Sequence, residues 1–168
     1  MKRILLFAAL LLPLAARADT VFTATLNGAQ DSVATSATGF GTVVLNAAQN
    51  MITVDESWTG LLAPATASHI HCCAAPGTNA AVLFPFSGVP NATSGSIPEQ
   101  TFAITAAQVL SLEDGLMYFN VHDSLYPGGE IRGQILLAAT PEPASLALLT
   151  LGLLCALLFA RRTRRLQV

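Results

Sequence analysis

Two apolar runs, one near each end of the 168-residue chain, leave 122 residues, Asp19 to Thr140, to make a water-soluble fold. On the N-terminal side, Lys2 and Arg3 precede the apolar stretch Ile4 to Leu14. Ala16-Arg17-Ala18 follows, with small residues at the two positions a signal peptidase reads. A charged start, a short apolar core and an A-x-A site make a cleavable secretory signal over residues 1–18 rather than a membrane anchor. On the other side, Pro141-Glu142-Pro143 leads into the uncharged run Ala144 to Ala160, closed by Arg161, Arg162, Arg164 and Arg165. Seventeen helical residues at about 1.5 Å each span roughly 26 Å, enough for the core of a bilayer. Arginines placed directly after such a run stay on the cytoplasmic side, which leaves the residues before it outside. The expected product is an exported domain held transiently in the inner membrane by a helix at about 144–160.

Pro-Glu-Pro, an apolar helix and an arginine cluster, in that order over residues 141–168, resemble the PEP-CTERM sorting signal of Gram-negative bacteria. The resemblance implies recognition by an exosortase through Pro141, Glu142, Pro143 and the arginines that include Arg161 and Arg162. It also implies removal of the tail and delivery to the cell surface or extracellular matrix.

The middle segment is acidic. Between Asp19 and Thr140 nine carboxylates face a single basic side chain, Arg132, a net charge of −8. Binding to nucleic acid is excluded, because phosphate contacts need Lys and Arg. Cationic partners and divalent metals are permitted, and solubility alone accounts for such a charge.

Alternation of apolar and polar residues with a period of two predicts an all-β domain. Val21 to Asn27 sets Phe22, Ala24 and Leu26 against Thr23, Thr25 and Asn27, and Gly39–Asn46 and Met51–Trp58 repeat the pattern around the turn Ala47–Asn50. Further strands are expected at Ala67–Cys72, Ala80–Phe84, Leu116–His122 and Glu130–Ala138, with Pro85 to Pro98 as a long loop. One helix is expected, opened by the capping-box pair Thr105 and Gln108 and stopped at Gly115. Short strands punctuated by Gly, Pro and Asn favour a Greek-key sandwich or closed barrel.

The three histidines fall into this pattern. His69 and His71 flank Ile70, so both project from one face of a strand. Tyr118, Asn120 and His122 share one face of their strand, and Glu130, Arg132 and Gln134 share one face of the next. A hairpin across Asp123–Gly129 sets Tyr118 opposite Gln134, Asn120 opposite Arg132 and His122 opposite Glu130. Facing side chains would then lie about 5 Å apart. In this register Glu130 is the expected partner of both His122 and Arg132.

Ser68-His69-Ile70-His71, then Tyr118-Phe119-Asn120-Val121-His122, then Pro127-Gly128-Gly129-Glu130-Ile131-Arg132-Gly133-Gln134 resemble the CHRD domain. So do Phe22-x-Ala24-x-Leu26-Asn27-Gly28-Ala29-Gln30 and Ala37-Thr38-Gly39-Phe40-Gly41, and the likeness runs from about Val21 to Leu137. Asp123 stands where the family usually has Thr, and Pro85–Pro98 departs from its pattern. The resemblance implies an immunoglobulin-like or superoxide-dismutase-like β-sandwich, usually extracellular, and implies no activity.

Two functions follow from the polar residues. One is a non-enzymatic binding or matrix component, in which Asn120, Glu130, Arg132 and the histidines form a structural network. The alternative is a metalloprotein with His69, His71 and His122 as ligands of copper or zinc, and Glu130 as ligand or as partner of an imidazole. No Ser or Thr is paired with a base, and Gly-x-Ser-x-Gly is absent, which argues against a hydrolase. Cys72-Cys73 leaves three outcomes: a vicinal disulfide, thiolates joining the histidines, or links between chains. The expected partners are signal peptidase, an exosortase and the inner membrane; the pattern names no ligand.

Overall fold

The computed structural model describes residues 17–139 and 151–154. The chain divides into two units, Met1–Leu137 and Ala138–Val168. In the second, Leu151–Leu154 is helical. Among the described residues no helix is long and apolar enough to cross a membrane. Most of the expected secretory signal, the Pro-Glu-Pro motif, the arginine cluster and most of the expected membrane helix lie outside the described residues.

Among its described residues the first unit is all-β apart from one helix and one turn of 3-10 helix. Its strands are β1 (Thr20–Asn27), β2 (Thr38–Leu45), β3 (Met51–Thr59), β4 (Ala65–Cys72) and β5 (Ala81–Pro85). They continue with β6 (Gly95–Ala103), β7 (Met117–Asp123), β8 (Ile131–Gln134) and β9 (Leu136–Leu137), and helix α1 is Ala106–Glu113. The expected alternation is realised: Phe22, Ala24, Leu26, Val43, Leu45, Ile52, Val54 and Trp58 all point inward and are buried. Thr105 caps α1 with Gln108 reaching back to it, the capping box read from the sequence.

All pairings are antiparallel, in the order β5-β4-β7-β8-β1-β2-β3-β6, with β9 on β1. The sheet curls so far that its ends meet. Phe84 of β5 packs on Phe102 of β6 with centroids 5.1 Å apart. The Gln100 amide of β6 donates to the Ser87 carbonyl at 3.0 Å. The two halves face each other across one core: Glu56 of β3 touches Ser68 of β4, although four strands separate β3 from β4 in the sheet. Inside, the Phe119 ring lies against Gly41, where a Cβ would come within 2.6 Å of it. Truncating Phe119, fully buried, to alanine would cost about 3–5 kcal/mol.

Two expectations need correction. The stretch Pro85–Pro98 is not all loop, because β6 begins at Gly95 and contains Pro98. β6 pairs on one side only, with β3, and an edge strand tolerates a residue that has no N–H to donate. The segment Glu130–Ala138 is two strands rather than one, since Ile135 breaks the ladder between β8 and β9.

A candidate three-histidine metal centre

β4 lies beside β7, and β7 beside β8, so the expected polar faces come together on the outer side of the sheet. The β7–β8 register is the one read from the sequence for two of the three pairs, Tyr118 with Gln134 and Asn120 with Arg132. The β4–β7 register sets Ala67 beside His122, His69 beside Asn120 and His71 beside Tyr118. His69 and His71 thereby reach His122 diagonally, with ring centroids 5.0 and 5.7 Å from it and 5.6 Å from each other.

One ligand nitrogen from each of His69, His71 and His122 lies within 4.8 Å of the other two. In a four-coordinate site with metal–nitrogen bonds near 2.0 Å, such nitrogens stand about 3.3 Å apart. Two of the rings are already oriented by backbone carbonyls. His71 Nδ1 donates to the Ala80 carbonyl and His122 Nδ1 to the Pro127 carbonyl, each at 3.0 Å. A carbonyl only accepts, so each Nδ1 carries the proton and leaves Nε2 with its lone pair in the neutral ring. Those two Nε2 atoms and His69 Nδ1 are buried with no hydrogen-bond partner. Burial lowers the pKa of all three imidazoles, that of His122 to about 4, so each is neutral at physiological pH.

Around the histidines the face is roofed by loops. The Tyr118 ring is stacked on His71 with centroids 4.9 Å apart and planes 5° from parallel, and the Arg132 guanidinium carbon lies 3.5 Å from its centroid. Arg132 is fully buried. It donates to the Thr78 carbonyl at 2.6 Å and to Asn79 Oδ1 at 3.1 Å. Its carboxylate partner is Asp31, 3.6 Å away, and not Glu130 as the hairpin register suggested. Asp31 sits on the 3-10 turn Gly28–Asp31 directly after β1, where no strand pattern marked it. Burial outweighs the pull of Arg132 and raises the Asp31 pKa.

Glu130 is corrected on its other expected contact too. The ladder ends at Val121 and Ile131, one pair short of His122 with Glu130. The Glu130 carboxylate turns instead to Thr35 Oγ1 at 2.6 Å and the Leu62 amide at 2.9 Å, tying two loops to the end of the sheet. Burial and the neighbouring Asp123 raise its pKa. Asn120 serves the same end, donating to the Gly128 carbonyl at 3.0 Å. Cys72 and Cys73 are joined in a vicinal disulfide, and Cys72 packs against the apolar core rather than toward the histidines, so the pair supplies no thiolate to this face.

A family model described as the CHRD domain matches residues 22–135. The chain belongs to the CHRD domain family. A second model, the PEP-CTERM protein-sorting motif, matches residues 139–165, which implies exosortase processing and marks this CHRD protein as exported and sorted to the cell surface. No curated protein and no solved structure matches the chain. The histidines, Asn120, Glu130 and Arg132 all fall inside the CHRD match.

A group that sequence reading passed over lies on the inner side of the sheet. Glu56 is buried in the core and its pKa is raised to about 8 by desolvation. Its signal was present: Ile52, Val54, Glu56 and Trp58 occupy successive inward positions of β3, and one of the four is a carboxylic acid.

Proposed function

We propose that this CHRD protein binds a copper or zinc ion on the cell surface through His69, His71 and His122, as a binding component rather than an enzyme. The observation that carries the reading is the convergence of His69, His71 and His122, whose ligand atoms lie within 4.8 Å of one another and each of which has a buried ring nitrogen without a hydrogen-bond partner. Leaving lone pairs buried and unpaired costs about 1–3 kcal/mol each, a cost that a bound metal removes. Neutral imidazoles suit both metals, and the carbonyls of Ala80 and Pro127 act as the partners that fix which nitrogen faces the ion. A bound ion would supply Lewis acidity at an open fourth position.

The rest of the reading concerns delivery. Signal peptidase releases the leader after Ala18, the apolar run 144–160 holds the chain in the inner membrane, and exosortase trims the tail. The mature domain then joins the surface or matrix. The crossovers from β3 to β4 and from β6 to β7 support a Greek-key sandwich of the immunoglobulin-like or superoxide-dismutase-like kind. A second reading takes the histidines as latches only, since His71 and His122 each hold a loop carbonyl.

Titration of the purified, chelator-treated protein with copper(II) and zinc(II) separates the two readings. One equivalent bound by the wild type and lost on His69→Ala plus His71→Ala supports the metal centre; no binding by the folded wild type leaves the latch. Intact mass of the surface-associated protein tests delivery, with loss of both the leader and residues 144–168 expected.

A further inference from the structure

We infer that Arg132 and Tyr118 are positioning residues for His71, acting through the turn Thr78–Ala80, and that they select the nitrogen this histidine offers to a metal. The inference rests on the metal reading of the three histidines. Its basis is a closed circuit of contacts. Arg132 holds the turn at the Thr78 carbonyl and at Asn79 Oδ1. The next residue, Ala80, donates its amide to the Tyr118 hydroxyl at 2.9 Å and accepts His71 Nδ1–H on its carbonyl at 3.0 Å. The Tyr118 ring closes the circuit, stacked on His71 and covered by the guanidinium. His71 is therefore fixed twice, in ring plane by Tyr118 and in tautomer by Ala80.

The choice of residue at 132 follows from this geometry. Burying a guanidinium costs several kcal/mol, and replacing a buried ion pair with apolar side chains is often neutral for stability. What an apolar side chain cannot do is address two acceptors on one turn while laying a flat cation on an aromatic face. Lysine cannot do it either, since its ammonium is a point charge without a plane or fork. His122 supplies the control. It is held by the Pro127 carbonyl, on a different loop, and no hydrogen bond of Arg132 or Tyr118 reaches that loop.

The test uses the full chain, wild type and Arg132→Lys, Tyr118→Phe and Asn79→Ala, with folding followed by circular dichroism. Tyr118→Phe keeps the ring and removes only the acceptor of the Ala80 amide. Long-range 1H–15N NMR of the metal-free protein reads the tautomer of each histidine, and zinc(II) titration reads affinity. The expected result is a pure Nδ1–H form of His71 in the wild type and mixed tautomers in Arg132→Lys and Tyr118→Phe, with His122 unchanged in all. Zinc affinity should fall about ten- to a hundredfold, the usual effect of losing a partner of a ligating imidazole. An unchanged His71 tautomer in the folded variants overturns the inference, and so does an equal change at His122, which would signal general loosening. If Arg132→Lys does not fold, Tyr118→Phe decides, and Asn79→Ala, which removes one of the two acceptors that Arg132 holds on the turn, should shift the His71 tautomer in the same direction. If the wild type binds no zinc, the metal reading fails, while the tautomers still decide whether Arg132 and Tyr118 position His71.

Discussion

Replacing Glu56 with glutamine removes one ionisable group from the middle of the core and should flatten the alkaline side of the stability profile. Ser68 Oγ contacts both Glu56 Oε2 and the Asn120 carbonyl, the latter at 3.2 Å. A hydroxyl has one proton. When Ser68 gives it to the Asn120 carbonyl, the contact to Glu56 needs the proton on the acid, which matches a carboxyl whose pKa desolvation has raised from 4.5 to about 8. Between those values the unfolded chain is ionised at this position and the folded chain is not, so folding takes up a proton. The Glu56 contribution is therefore fully present below pH 4.5 and is lost as pH rises to 8. At about 1.4 kcal/mol per pH unit the whole interval is worth about 5 kcal/mol. The part from pH 6.5 to 8 is worth about 2 kcal/mol, and the histidine contribution, common to both proteins, cancels in their difference. Urea unfolding of wild type and Glu56→Gln at pH 6.5, 7.25 and 8 measures it. The difference between the two proteins should shift by about 2 kcal/mol in favour of the glutamine variant across that window. Parallel profiles would show that Glu56 ionises normally, and the argument from its burial would be wrong.

The histidines give the opposite slope at acid pH. The pKa of all three imidazoles is lowered, so their contribution is intact above pH 6.5 and falls away below it, that of His122 being lost as pH drops to about 4. Metal release followed by chelator competition should accordingly begin at a lower pH than in a site of ordinary imidazoles. Gly129→Ala should lower stability by about 3 kcal/mol in urea unfolding, because φ is 120° there and a Cβ would collide with the Asn120 side chain. Cys72 and Cys73 should resist iodoacetamide in the native protein, read by peptide mass, until a thiol reductant opens the bond.

Much of this molecule is local in origin. Period-two alternation placed the inward row of β1, β2 and β3 correctly, and it put His69 with His71 and Tyr118 with Asn120 and His122 on common faces. The Thr105–Gln108 cap is likewise a contact between near neighbours in the chain. β6 escaped notice because Pro98 interrupts its pattern, and a proline is harmless only where the strand has an open edge, which is a property of the sheet.

Side-chain direction follows from chirality and the pleat, so the residue order alone specified which groups share a face. Adjacency of strands is another matter. β4 comes to lie beside β7 although 44 intervening residues, with β5, β6 and α1 among them, separate the two strands in the chain. That placement brings the pair His69 and His71 within reach of His122. The partner of Arg132 shows the same division. A hairpin register pointed to Glu130, but a buried guanidinium pairs with whichever carboxylate the packed loops deliver, and the turn after β1 delivers Asp31. Periodicity is encoded residue by residue; the company a buried charge keeps is settled by desolvation, once distant segments have closed over it.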